Sequence, residues 1–112
     1  LINSAMDAII ELNQNLDVTA INPAAKAAFQ SLEHQIVDTN FSRLITEDSR
    51  SKLKMLLEAL QKQPEGKQYM WIPGGLIVEP PEGQPFPAEA TISRFEMNRE
   101  FYYTIILRNV NE

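Results

Sequence analysis

A short strand passes directly into a short helix in the stretch LDVTAINPAAKAAF, residues 16–29, and this junction decides the fold. Asn22 is a favoured N-cap residue, because its side-chain oxygen accepts a hydrogen bond from a free backbone amide of the first helical turn. Pro23 suits the first helical position because it has no amide to leave unpaired. The sequence therefore predicts a strand that ends just before Asn22 and a helix that begins at Pro23.

Four further strands are predicted on either side of this junction. The apolar run Ala8–Leu12 precedes it, and the turn residues 13–15 between the two strands indicate a hairpin. Near the other end of the chain, the alternating apolar residues of Leu76–Glu79, Phe86–Ser93 and Phe101–Arg108 predict three strands separated by turns. The middle of the chain contains no comparable pattern, and we expect it to be mostly helical.

One long helix is predicted from Glu47 to Gln63, because its leucines repeat at the spacing of one helical face. That stripe consists of Leu53, Leu56, Leu57 and Leu60. Before it, Phe41–Ile45 is predicted to form a single helical turn. Residues 30–39 lack a clean period and are predicted to form a loop with a short turn of helix.

The order of these motifs resembles the PAS domain family. A hairpin leads into an Asn-Pro-capped helix, a late strand begins Phe86-Pro87-Ala88-Glu89, and the last strand is aromatic and β-branched and closes on residues 108–112. The resemblance implies an α+β fold, in which helices cover one face of a five-stranded antiparallel sheet of order 2-1-5-4-3. It also implies a single domain over residues 1–112. Residues 1–6 would then be the remnant of a flanking helix, and residues 109–112 the start of a linker to an output domain.

Charge and composition limit the partners and the location that we expect. The chain has 112 residues and a formal charge of −5, which argues against direct contact with nucleic acid or an anionic membrane, since both need a cationic surface. No apolar run is long enough to span a bilayer, and residues 1–4 lack the pattern of a signal peptide. We therefore expect a cytoplasmic domain.

Catalytic motifs are absent from the sequence. An enzyme needs a nucleophile with a base, a pair of carboxylates held together, or a set of metal ligands. His34 is the single histidine and lies in a polar segment, so we expect it to be a solvated surface residue. The domain is therefore predicted to be regulatory rather than enzymatic.

No cofactor is predicted firmly. The chain has no cysteine, which excludes the covalent flavin photochemistry that the resemblance to PAS photosensors would otherwise suggest. In the heme-binding PAS sensors that the chain resembles, a histidine that usually lies on the long helix holds the iron. The long helix of this chain has no histidine, so the resemblance does not imply histidine-ligated heme. Non-covalent flavin or a small apolar metabolite stays open, and Trp71 and Tyr103 are the aromatic residues that could flank a flavin ring.

The inward face of the sheet would contact a ligand if the domain binds one. The family register points Tyr103, Ile105 and Leu107 inward together with Ala88, Ala90 and Ile92. The two alanines leave room for a small apolar ligand or let the long helix pack close to the sheet, and we expect the filled core because native cores are dense. The candidate lining residues are Phe29, Phe41, Leu44, Leu56, Leu60, Trp71, Ala90, Ile92, Tyr103 and Ile105.

The outward face of the last strand is too apolar for a freely solvated surface. It carries Tyr102, Thr104 and Ile106, and the PAS resemblance implies that an N-terminal helix or a second subunit covers them. We therefore expect a homodimer through residues 1–6 and the face around Tyr102 and Ile106.

The resemblance implies a sensor and signal-relay module of a bacterial signalling protein that controls a C-terminal output domain. The output could be a transcription activator, a histidine kinase or a cyclic di-GMP enzyme. The alternative is a ligand-free dimerisation module. Asn109 replaces the acid that the family usually carries after the arginine at Arg108, which puts in doubt any ion pair that this acid would make in the relay.

Overall fold

The structure is a computed structural model that describes residues 7–64 and 68–109. The predicted flanking helix of residues 1–6 and residues 110–112 of the predicted linker lie outside this range. The strands are β1 (Ala8–Leu12), β2 (Val18–Ile21), β3 (Tyr69–Trp71), β4 (Leu76–Val78), β5 (Phe86–Met97) and β6 (Glu100–Asn109). The helices are α1 (Pro23–Phe29), α2 (Glu33–Ile36), the 3-10 helix η1 (Phe41–Leu44) and α3 (Glu47–Gln61).

The strands form one antiparallel sheet of order β2-β1-β6-β5-β3, and β4 also pairs with β5. The predicted α+β PAS fold and its path of strands are confirmed, but the predicted five strands are six. β3 pairs with the middle of β5 and β4 pairs with its beginning, so two short strands occupy the edge where one was expected. β3 was not predicted, because a run of only three residues before Pro73 gives little pattern to read.

The free edge of β4 is paired with the segment between η1 and α3. Thr46 N donates to Ile77 O (3.1 Å), and Glu79 N donates to Leu44 O (2.8 Å). The buried Ser49 near the start of α3 adds a third link, because its Oγ accepts from Ile77 N at 2.8 Å. These bonds satisfy an edge that would otherwise present unpaired backbone groups.

Asn22 joins α1 to the sheet as well as capping the helix. Its Oδ1 accepts from Ala25 N at 2.9 Å, as the sequence predicts, and also from Ile9 N in β1 at 2.9 Å. Its Nδ2 donates to Asp7 O at 2.9 Å. One side chain therefore fixes the start of the first helix against the first strand, which explains why the junction at residues 16–29 carries so much of the fold.

The core lies between the inner face of the sheet and the helices. β1, β5 and β6 bury alternate residues on this face, and the inward register predicted for β5 and β6 is confirmed. α3 ends at Gln61 and buries Leu53 and Leu60, whereas Leu56 and Leu57 are half-buried. The leucine stripe thus meets the core at its two ends more fully than at its centre.

We expect Arg99→Gly to stabilise the domain by about 0.5 to 1 kcal/mol. Asn98 and Arg99 form the two-residue turn between β5 and β6 with φ of 55° and 69°, the combination that a type I′ turn requires. Arginine pays a steric penalty in this left-handed region, and glycine does not. Denaturant melts would measure the gain. Arg99→Ala is the control, because it removes the long side chain but keeps the Cβ. An equal gain in that variant would contradict the backbone explanation.

Candidate functional site

The predicted pocket residues lie mostly in the packed core. Leu56 is half-buried against it, and Trp71 is exposed. The remaining candidates are all buried in one cluster between the helices and the inner face of the sheet: Phe29, Phe41, Leu44, Leu60, Ala90, Ile92, Tyr103 and Ile105.

Trp71 is the one candidate that the structure moves to the other side of the sheet. Its side chain is 61% exposed, whereas the neighbouring Ile72 is buried. Tyr103 faces the core and is 4% exposed, so the two aromatic residues lie on opposite faces of the sheet. The prediction that they could flank a flavin ring is therefore wrong. The cause is the unpredicted strand β3, whose alternation sends Tyr69 and Trp71 outward.

An apolar row crosses the outer face of the sheet. Strand pairing aligns Ile9 on β1 with Ile106 on β6, Ile106 with Thr91 on β5, and Thr91 with Trp71 on β3. We call these four residues the outer row. A cavity of about 190 Å³ lies over the row, between Trp71 and Ile106. The sequence prediction that Ile106 points away from the core is confirmed.

A charged row borders the outer row on the side of the chain ends. Arg108 Nε lies 3.2 Å from Asp7 Oδ1, and Glu89 stands directly opposite Arg108 across β5 and β6. Asp7 immediately precedes β1 and Arg108 lies near the end of β6, so the ion pair joins the entry and the exit of the sheet. The Arg108 side chain is 57% exposed, and exposed pairs of this kind contribute at most about 1 kcal/mol. The ion pair therefore contributes little to stability, but it lies where the first strand begins and the last strand ends.

The hairpin of β5 and β6 extends the apolar outer face beyond the other strands. Phe95 and Tyr102 stack there with ring centroids 5.6 Å apart, and Phe95 is 41% exposed. The Tyr102 hydroxyl donates to Glu100 Oε1 at 3.2 Å, and this hydrogen bond to a carboxylate raises the pKa of Tyr102 above its usual value.

Comparison with protein families decides what kind of domain this is. The sequence model of the PAS domain family matches residues 6–112. The chain belongs to the PAS domain family. No curated protein sequence matches the chain. PAS domains are sensory and regulatory modules, so the membership supports a regulatory role for this domain.

Solved PAS domains share the architecture of this one. The PAS domain of nitrogen regulation protein NR(II) from Vibrio parahaemolyticus is 23% identical with a TM-score of 0.71, covering 96% of this chain and 93% of its own. A PAS domain of a protein from Colwellia psychrerythraea reaches a TM-score of 0.79 at 12% identity, with 94% and 86% covered. A PAS domain from a two-component sensor histidine kinase is 16% identical with a TM-score of 0.70, with 96% and 87% covered. At these identities the similarity establishes the fold.

His34 is exposed, as predicted, although it lies on the short helix α2 rather than in a loop. Within residues 7–64 and 68–109, no group of three or more histidine, aspartate or glutamate side chains is placed to hold a metal ion. No helix in that part of the chain is long and apolar enough to cross a membrane.

Sequence reasoning missed part of the outer face. Asp7, Glu89 and Tyr69 were not singled out, yet they surround the cavity over the outer row. The alternation of Tyr69, Met70, Trp71 and Ile72 was the available signal for β3. The pairing of Asp7 with Arg108 had no sequence signal, because the two residues are 101 positions apart.

Proposed function

We propose that this PAS domain is a signal-relay module of a bacterial cytoplasmic signalling protein, and that it controls an output domain that follows in the same chain. A histidine kinase, a transcription activator and a cyclic di-GMP enzyme are the candidate outputs. The observation that carries the proposal is that the entry and the exit of the sheet meet at the Asp7–Arg108 ion pair, beside the outer row and the cavity that lies over it. A partner bound to the outer row would therefore contact β6, the strand that leads out of the domain.

A second copy of the domain is the proposed occupant of this surface. Ile106 is half-buried, Trp71 is 61% exposed and Phe95 is 41% exposed, which leaves apolar and aromatic side chains of the outer face in contact with water. Exposed apolar faces of this kind mark association surfaces in soluble domains. A two-fold contact between identical outer faces would cover both at once.

Ile106→Glu is expected to convert the dimer into a folded monomer. A carboxylate at the centre of the outer row would lose its water in the interface without gaining a partner, whereas in the monomer it stays solvated. Light scattering gives the mass, and circular dichroism checks the fold. Met55→Glu is the matched control, because Met55 is 71% exposed on α3, away from the sheet. It is expected to leave both the mass and the fold unchanged.

Two outcomes would contradict the dimeric relay. An unchanged mass for Ile106→Glu would mean that the outer row is not the interface. Loss of folding in Ile106→Glu but not in Met55→Glu would mean that Ile106 belongs to the core of the single subunit.

The alternative is a domain that dimerises without sensing a ligand. The complete burial of the predicted pocket residues Phe29, Phe41 and Ile92 favours it, because these side chains fill the space in which a core ligand would sit. Native mass spectrometry and an absorbance spectrum of freshly purified protein separate the two functions. A retained flavin, heme or metabolite would support the sensor, and protein of the sequence mass alone would support the dimerisation module.

A further inference from the structure

A cleft on the helical side of the domain has the features of a binding site, and the outer row plays no part in it. It lies between α3, η1 and the turn that joins β1 to β2, and its volume is about 310 Å³. This volume is at the lower end of the range for small-molecule pockets. Its apolar wall consists of Leu16, Leu53 and Leu57.

Backbone pairing holds two walls of the cleft together, the turn between β1 and β2 and the segment that leads into η1. Phe41 N donates to Leu16 O at 2.8 Å, which ties η1 to the turn. Val18 N donates to Thr39 O at 2.9 Å, and Asp17 forms a β-bridge with Asn40. The cleft is therefore part of the folded framework and does not depend on a loose loop.

Arg50 stands at the rim of the cleft in a fixed position. Its Nη1 donates to Ser42 O at 3.0 Å and to Ile45 O at 2.8 Å, which anchors the guanidinium to the backbone on either side of Leu44. Its Nε and Nη2 make no hydrogen bond with any residue of the described ranges. A guanidinium held on one nitrogen presents its remaining donors in a fork that matches a carboxylate.

The other polar groups of the cleft are either matched with one another or cationic. Ser42 Oγ donates to Asn40 Oδ1 at 2.7 Å, and Asn40 Nδ2 donates to Asp17 Oδ1 at 3.0 Å. Asp17 provides the carboxylate in these contacts, and this carboxylate is already hydrogen-bonded to the Asn40 amide. Lys54 lies one turn after Arg50 on α3 and adds a second positive charge to the lining. The cleft is locally basic although the chain carries a net charge of −5.

We propose that this cleft binds a small aliphatic carboxylate. The hydrocarbon chain would lie against Leu16, Leu53 and Leu57, and the carboxylate would accept hydrogen bonds from the free donors of Arg50 with Lys54 beside it. Leucine walls favour burial of a hydrocarbon chain, and the two cations select a negative head group. Binding here needs neither an output domain nor a dimer, so it is independent of the proposed relay function.

Octanoate titration of the purified domain, followed by leucine methyl NMR and calorimetry, tests the site. We expect the methyl resonances of Leu53 and Leu57 to shift, while the indole N–H of Trp71 on the opposite face of the sheet stays unchanged. Octanol, which lacks the charge, and acetate, which lacks the chain, are each expected to bind at least tenfold more weakly.

Two variants test the head-group contacts. Arg50→Gln is expected to weaken octanoate binding at least tenfold, whereas Arg43→Gln, which changes an exposed arginine of η1 outside the cleft lining, is expected to have no effect. Because Arg50→Gln also removes two bonds to backbone carbonyls, Lys54→Glu serves as a second variant. It reverses an exposed charge on a helix without removing a described hydrogen bond, and it is expected to weaken binding as well.

Three results would overturn the proposal. Equal affinity for octanol and octanoate would show that Arg50 and Lys54 do not bind the carboxylate. Shifts at Trp71 without shifts at Leu53 and Leu57 would place the ligand on the outer face. Undiminished binding by both Arg50→Gln and Lys54→Glu would show that the cleft does not hold the carboxylate. Ile106 does not line the cleft, so the Ile106→Glu experiment tests the dimeric relay without testing carboxylate binding. Failure of one proposal can therefore be distinguished from failure of the other.

Discussion

Gly75→Ala is expected to destabilise the domain by roughly 3 kcal/mol or more, which combines the penalty for a left-handed residue with that for overpacking. Gly75 has a φ of +68°, and a Cβ placed there would lie 2.1 Å from Ala88 O. The contacted atom is a backbone carbonyl oxygen of strand β5, so it cannot turn aside as a side chain can. The start of β4 must therefore move away from β5. Thermal or denaturant melts would measure the loss of stability.

Gly74→Ala is the matched control for this prediction. Gly74 has a similar φ of +77°, but its added Cβ would meet Lys52 Nζ at 3.1 Å, the far end of a flexible side chain. We expect it to lose about 1 to 2 kcal/mol, mainly the penalty for a left-handed alanine, because only Lys52 Nζ, which donates to Pro73 O and Gly75 O, has to shift. Equal losses in the two variants would show that the close approach to Ala88 has no energetic consequence.

Leu60→Ala is expected to remove about 3 kcal/mol from the free energy of unfolding, within the range for fully buried leucines. Leu60 has no exposed surface and lies in the core cluster at the C-terminal end of α3. Alanine keeps the helix propensity high, so the change acts through the cavity that it leaves. Denaturant unfolding followed by circular dichroism measures the effect.

Leu57→Ala on the same helix is the control. Leu57 is half-buried, so its truncation removes fewer core contacts and is expected to lower stability by about 1 kcal/mol. The sequence pattern placed all four leucines on one helical face and predicted equal burial for them. In the structure Leu53 and Leu60 are buried, whereas Leu56 and Leu57 are only half-buried. A larger loss for Leu57→Ala than for Leu60→Ala would mean that α3 is rotated relative to the orientation described here.

The sequence predicted well those parts of the fold that depend on neighbouring residues. Asn22 and Pro23 specified the start of α1, and the strict alternation in β6 specified which of its side chains face the core. The PAS fold itself followed from the order of such local signals along the chain. Caps, turns and alternation are local interactions, so they can be read without knowing what lies across the sheet.

The candidate site was predicted only in part, because its residues come from separate strands and helices. Alternation in β6 correctly put Ile106 outside and Tyr103 inside. The short strand β3 was not predicted, so the outward direction of Trp71 was not predicted either. The anchored position of Arg50 depends on the carbonyls of Ser42 and Ile45, and no pattern in α3 indicates that these lie within reach.

The sequence by itself determined that the chain forms a PAS domain, where its first helix begins, and which side of its last strand is buried. Only the tertiary structure decided that Gly75 must approach Ala88 O, that Asp7 meets Arg108, and that Trp71 belongs to the outer row. The reason is physical. Caps and alternation arise between residues a few positions apart, whereas these contacts exist only after distant segments pair across the sheet and fix the distances between their atoms.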